Sequence, residues 1–120
     1  MKRIEENLQI ACVTWFNLQY SALSPYLVHV PNGGKRNARE GARFKKMGVR
    51  AGFPDLMLLV PKNGIHALFI EMKSAGGRQA DSQIKYMNIL NKMCYDYVIC
   101  NSFDNFVEII NRYLRDEKTV

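Results

Sequence analysis

The sequence predicts an α/β fold, a mixed central β-sheet flanked by helices in the order α-β-α-β-β-α-β-α. Three observations predict it. Apolar residues recur at helical spacing near both ends of the chain, as Ile4, Leu8, Ala11, Trp15 and Leu18, and as Phe103, Phe106, Val107, Ile110 and Leu114. Two short apolar runs, Leu56–Val60 and Ala67–Met72, flank the turn signal Pro61-Lys62-Asn63-Gly64 and read as neighbouring strands. Further helical and strand-like stretches alternate around them, which places a sheet between helical layers.

Taken in order, Arg3 to about Tyr20 reads as a helix wedged against the sheet, its stripe widened by Ile10, Val13 and Phe16. Glu5 and Gln9 lie one turn apart on the flank of that stripe. By themselves, Glu5 and Glu6 do no more than favour the positive end of a helix dipole. Ser24-Pro25 breaks the helix, and Tyr26–Val30 alternates as a strand in which His29 reads as an ordinary strand residue. Pro31-Asn32-Gly33-Gly34 turns the chain into Asn37–Met47, a short helix with Arg39, Arg43 and Lys46 one turn apart. After Lys73, Ser74-Ala75-Gly76-Gly77 is a flexible connection. A third helix runs from about Asp81 to Met93 with Ile84, Met87, Leu90 and Cys94 as its apolar set, and Gln83 in its first turn projects toward the strand ends. Tyr97–Cys100 is a short strand, Ser102 or Asp104 caps the last helix, and Arg115–Val120 frays.

The central hairpin carries the chemistry. In a strand, residues two apart share a face, so Glu71 and Lys73 look into one site while Met72 faces away. Asp55 joins them only if it sits opposite Glu71, which requires Leu56 to pair with Ile70. A plain two-residue Asn63-Gly64 turn pairs Lys62 with Ile65 and carries Asp55 to Met72 instead. A three-residue loop, or a bulge in one strand, restores the register, and one of these is expected.

Two carboxylates and an ammonium at the end of a sheet suit Mg²⁺ or Mn²⁺, held by oxygen ligands together with water and substrate phosphate. Such an ion polarises a phosphoryl oxygen and lowers the pKa of water, while a nearby lysine orients the nucleophile or stabilises developing charge. Phosphodiester hydrolysis uses all three groups. Acid and lysine at alternate positions are also common on any solvated sheet face. Here Asp55 follows Pro54 at a strand start and Glu71 follows Ala-Leu-Phe-Ile, where an unpaired carboxylate is costly to bury.

Composition sets bounds. The 120 residues, 48% hydrophobic and 11% aromatic, are expected to form one folded domain, residues 1–120, rather than a disordered tail. No apolar run reaches membrane-spanning length and the start MKRIEENL has no signal-like core, so no membrane association is expected. Cys12, Cys94 and Cys100 lack metal-site spacing and read as reduced core residues of an intracellular, cytoplasmic protein. Seventeen basic against eleven acidic residues leave a charge of +6 and favour a polyanionic partner. Much of the excess lies in Lys35, Arg36, Arg39, Arg43, Lys45, Lys46 and Arg50, opposed only by Glu40. A basic segment leading from a glycine turn into the hairpin is expected to track phosphates without reading sequence, with a steep salt dependence.

The pattern Pro54-Asp55 followed by Glu71-x-Lys73 resembles the active-site signature of the restriction-endonuclease-like superfamily. The longer strings His29–Arg36, Gly48–Leu56, Phe69–Lys73 and Gly76–Gln83 resemble its VRR-NUC family, and with the surrounding helices the likeness spans almost the whole chain. The resemblance implies a divalent-metal-dependent DNA endonuclease without an organic cofactor. Asp55, Glu71, the Met72 carbonyl and a first-helix glutamate would hold Mg²⁺ or Mn²⁺. The spacing Glu5-x-x-x-Gln9 matches the family's glutamate and glutamine, which selects Glu5 over Glu6. Lys73 would assist the attacking water and Gln83 would orient Lys73 or that water. Stand-alone proteins of this kind resemble homodimeric nucleases that cut four-way junctions and are frequent in phages, which would place this one in a host-cell cytoplasm. A two-fold dimer lets two sites cut symmetrically related strands. Two departures stand out: Ala51 follows Val49-Arg50 where the family has a second arginine, and Ala80 replaces a serine cap, leaving Asp81 or Ser82 to cap the third helix. Against the enzyme stand a DNA-binding module of the same fold without activity, and a small scaffold whose basic face meets RNA or an acidic protein.

Overall fold

In the computed structural model, which describes residues 2–31 and 38–115, the helices from the two ends of the chain meet on one face of a four-stranded sheet. The elements are α1 (Lys2–Gln19), a 3-10 helix (Ser21–Tyr26), β1 (Leu27–His29), α2 (Ala38–Lys46), β2 (Leu56–Leu58), β3 (Leu68–Met72), α3 (Asp81–Lys92), β4 (Asp96–Cys100) and α4 (Phe103–Leu114). The strands lie in the order β1-β2-β3-β4. The first two pairings are antiparallel and the third is parallel, so the sheet is mixed. α3 is the crossover that a parallel β3–β4 pair requires. Among the described residues no helix is long and apolar enough to cross a membrane.

Strand alternation sorts the side chains into two cores. Leu68, Ile70 and Met72 of β3, with Leu56, Leu58 and Cys100, meet Cys12 and Phe16 of α1 and Phe106 and Ile110 of α4. Phe69 points the other way, into a smaller cluster with Ala67, Leu90 and Tyr97, against which Phe53, Met57, Tyr86, Met87 and Tyr95 pack. Fully burying a phenylalanine such as Phe16 or Phe106 stabilises by roughly 1.5–3 kcal/mol. Two such anchors hold α1 and α4 to the sheet although Ile4, Ile10 and Leu18 remain exposed.

Those exposed residues correct the expected stripe of α1. The seam that meets the sheet is Cys12 and Phe16, flanked by Leu8, Val13 and Trp15, and Glu5 and Gln9 continue it at the same helical spacing. Proline does not simply end this region, because Pro25 sits inside the 3-10 helix that follows α1. In α3 the seam runs through Gln83, Tyr86, Met87 and Leu90, while Ile84 is exposed. Cys94, expected in the core, is exposed just past the α3 terminus with a left-handed φ of 63°. Cys12 and Cys100 are buried as expected. The α3 cap also differs. Ala80 itself is the N-cap, in extended conformation, and Gln83 Oε1 accepts from its N–H at 2.7 Å. Ser102 caps α4 by accepting from the Asn105 N–H at 3.0 Å. The glycine turn at residues 32–34, Asn37 and the tail at 116–120 lie outside the described residues.

The hairpin contains the expected bulge. Leu56 pairs with Ile70, Met57 with Phe69 and Leu58 with Leu68. The turn itself pairs Lys62 with Ile65, with Asn63 and Gly64 both at positive φ, 51° and 83°, as a primed two-residue turn needs. Between ladder and turn, Leu59, Val60 and Pro61 oppose only His66 and Ala67, so the outgoing strand carries one extra residue. This extra residue ends β2 at Leu58 rather than Val60. The displaced groups find partners elsewhere. Leu59 N–H donates to Tyr26 O, and Val60 O accepts from the Tyr113 hydroxyl at 2.6 Å.

Candidate active site

Asp55 stands at the entrance to β2 and is tied down from two sides. Its backbone carbonyl accepts from Val30 N–H at 3.1 Å and from His29 Nδ1 at 2.8 Å, which joins it to β1. Its Oδ2 accepts from Met72 N–H at 2.8 Å, which joins it to the far end of β3. The bulge makes that contact possible. With Leu56 opposite Ile70, the next pair outward is Asp55 with Glu71, and both carboxylates lie on the α3 face of the sheet.

Glu71 is almost fully buried, with 4% of its surface exposed. Its Oε2 accepts from Gln83 Nε2 and lies 4.0 Å from Lys73 Nζ, whereas its buried Oε1 makes no well-formed hydrogen bond among the described residues. Burial first, and then the adjacent Asp55 carboxylate, push Glu71 up to about 8 against the pull of Lys73. Burial also raises Asp55, opposed by the Met72 N–H and by His29. The two acids therefore hold between them, at neutral pH, a proton that an exposed pair would have released at about pH 4. Lys73 is anchored by its own N–H, which donates to Cys100 O at 2.9 Å, and its side chain is largely shielded.

Gln83 bridges the first turn of α3 to the site, with one end of its carboxamide on Ala80 N–H and the other on Glu71. Its placement depends on a residue that the sequence did not single out. Gly52 has φ of +84°, and a Cβ there would lie 2.2 Å from Ser82 O and 2.9 Å from Gln83 N. The loop before Asp55 thus packs backbone to backbone against α3, which only glycine permits.

Glu5 reaches the margin of this group from α1. Its Oε2 accepts from Ser74 N–H at 3.2 Å and from the Ser74 hydroxyl at 3.4 Å, just beyond Lys73, and it adds negative potential at Asp55 and Glu71. Among the described residues no three His, Cys, Asp or Glu side chains converge into a ready-made metal cage. Asp55 and Glu71 form the close pair and Glu5 stands apart. The donor set nevertheless fits Mg²⁺ or Mn²⁺, which take one or two carboxylates and keep several waters. The uncompensated Glu71 Oε1 and the retained proton are what a divalent cation would relieve. Met72 contributes its N–H to Asp55.

The expected DNA-contacting residues divide. Arg39, Arg43 and Lys46 are exposed on α2, a helix that buries no residue, and Arg43 lies over the Phe44 ring. Arg50 lines a hollow with Val30, Phe53 and Tyr86 beside the backbone that holds Asp55. Lys35 and Arg36 lie outside the described residues. The structure thus joins Asp55, Glu71, Lys73 and Gln83, brings Glu5 to their edge, and sets Arg50 nearby.

With this geometry in hand, the chain can be compared with known proteins. The sequence model of the VRR-NUC domain matches residues 3–104. A solved structure described as a VRR_NUC domain protein superposes with a TM-score of 0.80 at 30% identity, over 92% of this chain and 87% of that one. No curated protein matches.

Proposed function

The chain belongs to the VRR-NUC domain family of nucleases, and from that premise we propose that it is a divalent-metal-dependent DNA endonuclease hydrolysing phosphodiester bonds. The convergence of Asp55, Glu71, Lys73 and Gln83 at the end of β3 carries this reading. Asp55, Glu71, the Met72 carbonyl and Glu5 would hold Mg²⁺ or Mn²⁺. That ion supplies Lewis acidity toward a phosphoryl oxygen and makes water a competent nucleophile at neutral pH.

The protein's own groups do the rest. Met72 N–H fixes Asp55, and Gln83 fixes Glu71, so neither carboxylate reorganises as substrate arrives. Lys73 Nζ, on the same face, lies where it orients the attacking water and offsets charge developing on the phosphoryl group. Arg50, Arg39, Arg43 and Lys46, with Lys35 and Arg36, neutralise flanking phosphates. Working as a homodimer in the cytoplasm, the enzyme would set two such sites on symmetrically related strands, the arrangement that four-way junctions demand.

The test is a cleavage panel of linear, flapped and four-way DNA with Mg²⁺, Mn²⁺ or chelator. Metal-dependent cutting strongest on the four-way substrate supports the full reading. Cutting without preference keeps the nuclease and removes junction selectivity. Binding without any cutting identifies a non-catalytic DNA-binding module.

A further inference from the structure

Two buried side-chain oxygens make no well-formed hydrogen bond among the described residues, Glu71 Oε1 and the Tyr97 hydroxyl. A carboxylate oxygen accepts and a phenol O–H donates. They are neighbours by register. In the parallel β3–β4 pair Phe69 lies opposite Tyr97 and Glu71 opposite Ile99, so Tyr97 and Glu71 share a face as diagonal partners, within reach of a long aromatic side chain. The phenol feels the Glu71 and Asp55 carboxylates and lies within side-chain hydrogen-bonding range of both Gln79 and Glu71. Packing alone does not call for the hydroxyl, because the surrounding cluster is built from Phe53, Phe69, Tyr95 and Met87, and a phenylalanine would fill the same space.

We propose that Tyr97 is a positioning residue for Glu71, its hydroxyl donating to Oε1. Gln83 and Lys73 then hold Oε2, Tyr97 holds Oε1, and the plane of the carboxylate is fixed facing Asp55. Each carboxylate oxygen has two acceptor positions, so the tie to Tyr97 leaves Oε1 able to face a cation.

This role rests on the reading of Asp55 and Glu71 as metal ligands, and the experiment separates the two. Mn²⁺ binding to the full chain is measured by titration calorimetry, and melting is measured without metal, for wild type, Tyr97→Phe, Phe69→Leu and Asp55→Ala. Tyr97→Phe is expected to melt with wild type yet bind Mn²⁺ about 10-fold more weakly. Phe69→Leu, a change in the same cluster without a hydroxyl, is expected to lower the melting temperature and leave Mn²⁺ affinity unchanged. Equal affinity in Tyr97→Phe and wild type overturns the assignment, and so does a Tyr97→Phe chain that melts well below wild type, which would make the hydroxyl a structural group. Mn²⁺ binding that survives intact in Asp55→Ala overturns the metal site itself and Tyr97's role with it.

Discussion

At Glu71 burial, and then the neighbouring Asp55, keep a carboxyl group from ionising, and this has a consequence for stability. Its pKa is raised from 4.5 to about 8 in the folded chain. Between those values the folded state holds a proton that the unfolded state has released, so stability falls as pH rises through that window and levels off above it. This is the reverse of ordinary acid denaturation. Metal-free protein melted from about pH 5 to about pH 9 should lose melting temperature up to about pH 8 and then level off, and Glu71→Gln should flatten the fall. A wild-type profile that rises over the same range contradicts the buried, proton-retaining pair. Glu71 and Lys73 were legible in the sequence because strand parity dictates that they share a face, and Asp55 joined them through the hairpin register. Gly52 and Tyr97 were not. The first acts through the close approach of a helix far along the chain, and the second through a strand pairing whose register no local pattern reveals.

At the scale of elements, the hairpin bulge and the docking of α3 decide whether the site exists. The bulge followed from arithmetic, since a two-residue Asn63-Gly64 turn and an Asp55–Glu71 pair are incompatible without an extra residue. Helix seams were less legible. In α1, Ile4, Ile10 and Leu18 are apolar yet exposed, so composition pointed beside the true seam of Cys12 and Phe16. The α3 cap was misjudged because Ala80 has no side-chain acceptor, and the Gln83 side chain closes the turn instead. Gly52→Ala tests the docking. Its methyl group would collide with Ser82 O at a positive φ, so about 1–3 kcal/mol of stability should be lost. Moving α3 should also take Gln83 from Glu71 and slow cleavage by about 10-fold or more at temperatures where the variant stays folded. Unchanged melting and unchanged cleavage would show that the contact has no such role.

The whole molecule places a two-core body beside a basic helix that has no fully buried residue. Asp55, Glu71 and Lys73 sit at the strand ends, where packing fixes them, and Arg39, Arg43 and Lys46 sit exposed on α2. That division fits a protein whose binding and chemistry are separable, and it determines the decisive measurement. Wild type and Asp55→Ala are given the same labelled branched DNA with Mn²⁺, and bound and cut fractions are scored together. The expected result is cleavage by wild type that drops by about 100-fold or more in the variant while DNA binding is unchanged. Equal cleavage by the two proteins, or a wild type that binds and never cuts with either ion, would contradict the assignment of this site.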